Sequence, residues 1–160
     1  MMGVDGEYRN KVIGIIQIGE NVYSPNFFTY SLTDLKWIDR NAYQYNKLYK
    51  IKESPLFSKC KQLKTIPDGL FDGLEITKEN TFDASIQPFV DCHSLEYVPD
   101  DLFANVKGTN IRDITCDVSF IGCHKLTNIP KGFLNDISKL GKIIQINYTF
   151  MECFNIKEVP

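Results

Sequence analysis

The chain has 160 residues, of which 43% are apolar and 24% charged. This length is enough for one domain with a small extension, and the composition excludes a disordered tail or a collagen-like fibre. Lysine and arginine number 18 against 20 acidic residues, a net charge of −2 that offers nucleic acid no basic surface. No apolar run approaches the roughly 18 residues that a membrane span requires. The sequence therefore predicts neither a nucleic-acid-binding protein nor a membrane-inserted one.

The N-terminus carries no export signal of the usual kind. Residues 1–7 lack the basic segment and following apolar segment that are typical of a secretory leader. The five cysteines are an odd number, which disfavours a fully paired disulfide framework. We therefore expect cytoplasmic synthesis, followed by retention, release by lysis or incorporation into a virion or phage-like particle. A piece excised from a longer protein is the remaining alternative.

Residues 1–54 differ in composition from the rest of the chain. Six of the eight tyrosines and the only tryptophan, Trp37, lie before residue 50. Residues 11–18 and 21–24 predict a hairpin around Gly19 and Glu20. Ser31 to Asp34, followed by apolar residues at 35, 38 and 42, predicts a short capped helix. We interpret this region as an aromatic-rich, mixed α/β N-terminal cap or docking region.

The rest of the chain, residues 55–160, is organised by a repeat. The pattern F-x-x-C-x-x-[LI]-x-x-[IV]-P recurs at intervals of 32, 31 and 30 residues. Its copies are residues 57–67, 89–99, 120–130 and 150–160. A bulky apolar pair follows the first three copies, at 70–71, 102–103 and 133–134. The sequence therefore predicts three full repeats and one partial repeat of about 31 residues.

The apolar residues within each copy are spaced by threes. A continuous helix needs a mixed spacing of three and four, and a strand needs alternation by two. Strict threes instead favour a chain that turns corners with short extended and 3₁₀-like pieces. The proline that ends the pattern suits the start of a short helical turn, such as residues 68–74. We therefore predict a repeat solenoid in which each unit is stable only against its neighbours.

The segments between the copies predict a parallel strand ladder. Apolar residues at 144, 146, 148 and 150 alternate with polar ones, in the same register as those at 114, 116, 118 and 120. In the first unit the alternation slips at Pro88, which predicts a bulge there. The polar side of this ladder is one candidate binding face: Asp83, Ser85, Thr115, Asp117, Ser119, Gln145, Asn147 and Thr149.

The last unit offers a candidate assembly edge. Its sequence stops at the proline, without the apolar pair that follows the other copies. An uncovered sheet edge with apolar neighbours favours pairing with another chain. The residues concerned are Phe150, Phe154, Ile156 and Val159. A natural chain cut at this point is the alternative interpretation.

The unit F-x-x-C-x-x-L-x-x-I-P-x-x-L-F resembles the BspA-like branch of the leucine-rich repeats, in the variant found in surface proteins and phage tail or prophage proteins of low-GC bacteria. Residues 63–71 and 126–134 match it best, and the resemblance covers residues 55–160. It implies a short leucine-rich-repeat-like stack, a curved solenoid that binds proteins or cell surfaces and is not catalytic. The small number of units favours an assembly component over a secreted adhesin.

Candidate chemistry is sparse. Four cysteines, at 60, 92, 123 and 153, share one repeat position, and without C-x-x-C pairs they predict buried thiols more than a disulfide or metal ladder. His93 and His124 each follow such a cysteine and predict a stacked surface pair. The carboxylates at 100, 101, 113, 117 and 152 fall in loops or on the polar face, where sequence cannot set the separation that a glycosidase needs. We therefore predict no enzyme, no metal and no cofactor.

These observations predict a non-enzymatic protein-interaction or structural component, of the kind found in phage tails and other large assemblies. Its partner would be another protein or a second copy, bound through the N-terminal cap or the open C-terminal end. The alternative is a host-surface or carbohydrate-binding adhesin module excised from a longer secreted protein, with a glycan as its ligand.

Overall fold

The computed structural model describes residues 11–15, 31–42, 47–48, 57–77, 83–85, 88–109, 111–116 and 119–159. These residues form mostly short strands and little helix. In chain order the elements are β1 (Gly14–Ile15), β2 (Trp37–Ile38), β3 (Lys47–Leu48), β4 (Phe57–Ser58), β5 (Glu75–Thr77), β6 (Asp83–Ser85), β7 (Phe89–Val90), β8 (Lys107–Thr109), β9 (Asp113–Thr115), α1 (Phe133–Ser138) and β10 (Lys142–Gln145). Among these elements, α1 is too short to cross a membrane, and the described residues hold no other candidate span.

All the strand pairings between these elements are parallel. The orders are β1-β2, β4-β7, β3-β5-β8 and β6-β9-β10. The registers join equivalent positions of successive repeats: Phe57 pairs with Phe89, and Ala84 pairs with Ile114. The predicted parallel pairing of strands is therefore confirmed.

The first phenylalanine of each repeat lies in a single row. The ring centroids of Phe57 and Phe89 are 5.4 Å apart, those of Phe89 and Phe120 5.9 Å, and those of Phe120 and Phe150 5.2 Å. Neighbouring planes differ by at most 30°, which is a stacked arrangement that aromatic pairs favour when offset. We call these four rings the phenylalanine row.

The apolar positions spaced by threes point into the core in the first two copies of the pattern. The cysteine, the leucine and the isoleucine or valine of the pattern are buried in both of these copies: Cys60, Leu63, Ile66, Cys92, Leu95 and Val98. The turn at residues 68–74 also buries Leu70, Phe71 and Leu74. The prediction of these inward positions is confirmed, because three short segments that change direction can present every third residue to one interior.

The short capped helix predicted from Ser31 is wrong. Residues 31–42 instead form turns around β2, with the local geometry of the repeats. Ser31 has a φ of 59° and donates its N–H to the Ser58 carbonyl at 2.7 Å. Lys59, with a φ of 57°, donates to Val90 at 2.8 Å. Residues 31–42 are thus a further repeat unit, one in which Leu32 stands at the cysteine position.

The predicted N-terminal hairpin falls largely outside the described residues, as does most of the cap at 1–54. Within the described part, Gly14 and Ile15 pair in parallel with Trp37 and Ile38. A Cβ on Gly14 would clash with the Trp37 ring. Glycine at 14 therefore lets the tryptophan ring pack directly on the neighbouring backbone.

The register predicted for the last strand is wrong by one residue in the first part of β10, where Ile143 and not Ile144 pairs with Ile114. The register shifts between Ile143 and Gln145, and Gln145 pairs with Thr115 as predicted. Ile144 is 52% exposed and Tyr148 65% exposed, and residues 147–150 form a turn. Because side chains alternate across a strand, a slip of one residue moves the predicted inward set to the outer face.

The bulge predicted at Pro88 lies partly outside the described residues. Pro88 itself uses its carbonyl to accept a hydrogen bond from the Phe57 N–H at 2.9 Å. Ser119 and Thr149 occupy the same position before the phenylalanine in later units, and their carbonyls act in the same way. Proline fits here because the position supplies an acceptor to the preceding unit.

The register of β10 can be tested with a pair of isoleucines. Ile143→Ala is expected to lower the free energy of unfolding by about 1–3 kcal/mol, because Ile143 packs against the core. Ile144→Ala, at the exposed neighbour, is expected to change it by less than about 0.5 kcal/mol. Urea denaturation of both variants makes the comparison. A larger loss at Ile144 than at Ile143 would contradict this register.

Candidate functional site

The predicted polar binding face does not form one exposed column among the described residues. Gln145 and Asn147 are exposed and Thr115 is half-buried, but Ser119 and Thr149 are buried. Both hydroxyls donate to the Cys116 carbonyl, at 2.8 Å and 2.9 Å. Each of these residues directly precedes a phenylalanine of the row, and its hydroxyl satisfies a main-chain carbonyl at the bend there. Asp117 and the side chains of Asp83 and Ser85 lie outside the described part.

The shared cysteines act as buried hydrogen-bond donors. The thiols of Cys92, Cys123 and Cys153 each donate to the carbonyl of the phenylalanine of the preceding unit. The S–O distances are 3.8 Å from Cys92 to Phe57, 3.7 Å from Cys123 to Phe89 and 3.2 Å from Cys153 to Phe120. All five cysteines are free thiols. Cysteine suits this position because it is small and apolar and still carries a weak donor.

Burial also suppresses ionisation of these thiols. A side-chain hydrogen bond with Cys60, and then burial, raises the pKa of Cys92 well above its ordinary value. Burial likewise raises the pKa of Cys123. In the last copy of the pattern, burial raises the pKa of Cys153 from 9.0 to about 11. The thiolate is the reactive form, so these cysteines are chemically protected.

Thiol titration of the native protein should therefore be slow. At pH 8, a thiol of pKa about 11 is ionised about a hundredfold less than one with the ordinary value. We expect Cys153, the least buried cysteine of the five, to react first, and all five to react at once in denaturant. Raising the pH towards 11 should accelerate the reaction of Cys153. Fast native reaction of Cys92 or Cys123 would contradict the buried-thiol interpretation.

The two histidines stack as predicted. The rings of His93 and His124 are 4.4 Å apart and 10° from parallel, and Phe154 continues the row 5.4 Å beyond His124. The Nε2 atom of His124 lies 3.6 Å from an Oε2 atom of Glu152. In the described ranges no group of three or more histidine, cysteine or carboxylate side chains is placed to hold a metal ion.

Two further candidate carboxylates, besides Glu152, are engaged in ion pairs. Asp113 contacts the Arg112 Nε at 2.7 Å. Asp100 accepts the Lys131 backbone N–H at 3.1 Å, and its other oxygen lies 3.8 Å from the Lys131 Nζ. Asp100 thus links two successive units, a contact that serves their packing.

The C-terminal edge carries an apolar groove of about 340 Å³. Its walls come from α1, the turn before it and the last unit: Ile129, Pro130, Lys131, Phe133, Leu134, Ile146, Thr149, Phe150 and Val159. Of the predicted edge residues, Phe154 is 75% exposed and Val159 81% exposed, whereas Phe150 and Ile156 are half-buried. Two of the four residues predicted to form the assembly edge are therefore exposed, and the other two are half-buried.

The same edge presents two main-chain donors. In each earlier unit the phenylalanine N–H, and the N–H two residues later, donate to carbonyls of the next unit. These bonds run from Phe57 to Pro88, Phe89 to Ser119, Phe120 to Thr149, Lys59 to Val90, Asp91 to Ile121 and Gly122 to Met151, at 2.8–3.0 Å. The equivalent N–H groups of the last unit belong to Phe150 and Glu152, and no described residue accepts from them.

The backbone of the last unit already has the geometry that this pairing uses. Glu152 has a φ of 62°, close to 57° at Lys59, 55° at Asp91 and 72° at Gly122. This left-handed conformation is unusual for residues other than glycine. The two donors were missed in the sequence because every residue except proline carries the same N–H group, so no residue type marks them.

No protein-family model, curated protein or solved structure matches this chain.

Proposed function

We propose that this chain is a short leucine-rich-repeat-like solenoid of the BspA type, acting as a non-enzymatic protein-interaction or structural component. Support for a solenoid comes from the parallel pairing of successive units and the stacked phenylalanine row. In such an arrangement, units bury their apolar faces on one another.

The observation that carries this proposal is the apolar surface formed by the groove and by the exposed side chains of the last unit. Val159 is 81% exposed and lines a groove together with Phe133, Leu134 and Phe150. Phe154, in the same unit as Phe150 and Val159, is 75% exposed. Scattered apolar residues are ordinary on protein surfaces, but a contiguous apolar patch marks an interaction site. A protein partner therefore fits this surface best.

Site-specific photo-crosslinking tests the proposal. A benzophenone-bearing phenylalanine analogue replaces Phe154 in the chain expressed in its source cells. The matched control carries the same analogue at Tyr97, an aromatic residue that is 45% exposed on another part of the surface. We expect a discrete crosslinked protein from position 154 and none from position 97.

Mass spectrometry of the crosslinked species then identifies the partner, including a second copy of this chain. Equal crosslinking from both positions would indicate non-specific contact. The absence of any crosslink at position 154 would contradict a protein-interaction role for this edge.

A further inference from the structure

We propose that this chain binds a glycan, an extended chain of β-1,4-linked pyranoses, by stacking it on Trp37 and Tyr97. These two side chains are 47% and 45% exposed. Each belongs to a unit that has a described unit on either side. We call the surface formed by Trp37, Thr65 and Tyr97 the aromatic face. The inference goes beyond the proposed protein-interaction role, because it concerns a different surface and a different class of ligand.

Trp37 and Tyr97 occupy the same position in their respective units. Each directly precedes a buried apolar residue, Ile38 in one unit and Val98 in the other. Thr65 holds this position in the unit between them, where it is exposed and pairs with Tyr97 in a parallel bridge. Since neighbouring parallel strands lie about 4.8 Å apart, the backbones that carry the two rings are separated by about 10 Å along the stack.

The indole of Trp37 lies across the backbone of the neighbouring unit. Gly14 pairs with Trp37 in parallel register, and a Cβ on Gly14 would clash with three atoms of the six-membered ring of the indole, Cδ2, Cε2 and Cζ2. The ring therefore occupies the place where a side chain of that unit would stand. Because this contact holds the ring in position, its exposed part offers a flat platform that is already oriented for a ligand.

A pyranose suits such a platform because one of its faces is formed by C–H groups. Their hydrogens carry a small positive charge, whereas the face of an aromatic ring is negative, so the two attract each other when stacked. In a β-1,4-linked chain, alternate pyranoses turn the same face to one side, and two residues span nearly the separation of the two rings. A first sugar on Trp37 would therefore place the third sugar on Tyr97.

The charges beside the two rings favour an uncharged ligand that is rich in hydroxyls. The exposed neighbours of the rings in the aromatic face are polar: Lys36, Lys64, Thr65 and Glu96. Both signs of charge are present, so this face complements neither a polyanion such as nucleic acid nor a strongly basic peptide. Sugar hydroxyls both donate and accept hydrogen bonds, and they pair with ammonium, carboxylate and hydroxyl groups alike. Polar residues also separate the two rings, whereas protein interfaces concentrate apolar residues at their centre.

The test titrates the 160-residue chain with cellohexaose and with chitohexaose. Isothermal titration calorimetry should show saturable binding of at least one of them. The emission of Trp37, the only tryptophan, should shift to the blue, because a stacked sugar removes water from the indole. The corresponding disaccharide should bind at least about tenfold more weakly, since only a chain of three or more sugars reaches both rings. Maltohexaose, whose α-1,4 linkages curve the chain, is the matched control and should leave the emission unchanged.

Tyr97 supplies the decisive variants. Tyr97→Ala should weaken hexasaccharide binding at least about tenfold, because it removes one of two aromatic anchors. Tyr97→Phe keeps the ring and should bind nearly as well as the unchanged chain. Tyr148→Ala removes a ring that is 65% exposed outside the aromatic face, and it should leave binding unchanged. All three variants retain Trp37, so its emission reports both binding and folding in each of them.

Three results would overturn the glycan proposal. The first is the absence of binding by both hexasaccharides, and the second is binding that Tyr97→Ala leaves unchanged or that the disaccharide matches. The third is a discrete protein that is crosslinked from position 97 and not from position 154, which would assign the aromatic face to a protein partner. The first two results leave the crosslink expected at position 154 untouched, so failure of this proposal can be told apart from failure of the proposed function.

Discussion

Replacing Phe120 with alanine is expected to lower the free energy of unfolding by about 3–5 kcal/mol. Its side chain is fully buried. The ring stacks between Phe89 and Phe150 and meets the edge of Phe133 at 5.4 Å. Alanine would leave a cavity in the middle of the phenylalanine row and remove contacts to two neighbouring units at once. Aromatic pairing adds to the lost apolar burial, so we expect the upper part of this range.

Urea denaturation followed by circular dichroism measures this loss. Phe154→Ala is the matched control, because the same substitution at a side chain that is 75% exposed should change the free energy of unfolding by less than about 0.5 kcal/mol. A loss of less than about 1 kcal/mol in the Phe120→Ala variant would contradict the inference that this ring stabilises the neighbouring units. Fluorescence of Trp37, the single tryptophan, reports whether the N-terminal unit unfolds in the same transition.

Leu95→Ala is expected to lower the free energy of unfolding by about 2–5 kcal/mol. Leu95 is fully buried at the centre of the second copy, and its N–H donates to the Cys92 carbonyl at 2.9 Å. Truncation leaves a cavity that the surrounding side chains, themselves held by the neighbouring units, fill only partly. The expected effect is therefore that of a core leucine, although the position belongs to neither a long helix nor a long strand.

Leu134→Ala is the control for Leu95. It makes the same chemical change at a leucine that is 46% exposed on α1, so we expect a change within about 0.5 kcal/mol. Thermal unfolding monitored by circular dichroism should rank the two variants in the same order as urea denaturation. A loss below about half a kcal/mol at Leu95 would mean that the spacing by threes does not define the core.

The inward positions of the repeat were predictable from sequence, because each recurs in the same chemical form. The phenylalanine row and the buried residues such as Leu63 and Leu95 follow from that recurrence. The unit at residues 31–42 was missed because Leu32 and Asp39 replace the cysteine and the proline. Its apolar spacing at 32, 35 and 38 is the same, and that spacing was the one signal available in the sequence.

The last strand shows where sequence patterns fail. Ile143, Ile144 and Ile146 allow two registers of alternation, and the choice depends on pairing with β9. The pairing brings Ile143 opposite Ile114 and leaves Ile144 exposed. Ser119 and Thr149 were predicted on an exposed face but are buried, for a related reason. A polar side chain can donate a hydrogen bond to a buried main-chain carbonyl as readily as it can face water.

The sequence by itself determined that one unit recurs, which of its residues are apolar, and that its cysteines share a position. Only the tertiary structure decided the register of β10, the burial of Ser119 and Thr149, and which main-chain groups of successive units are paired. The physical reason is that side-chain type is written into the sequence, whereas main-chain hydrogen bonding depends on which strand lies alongside.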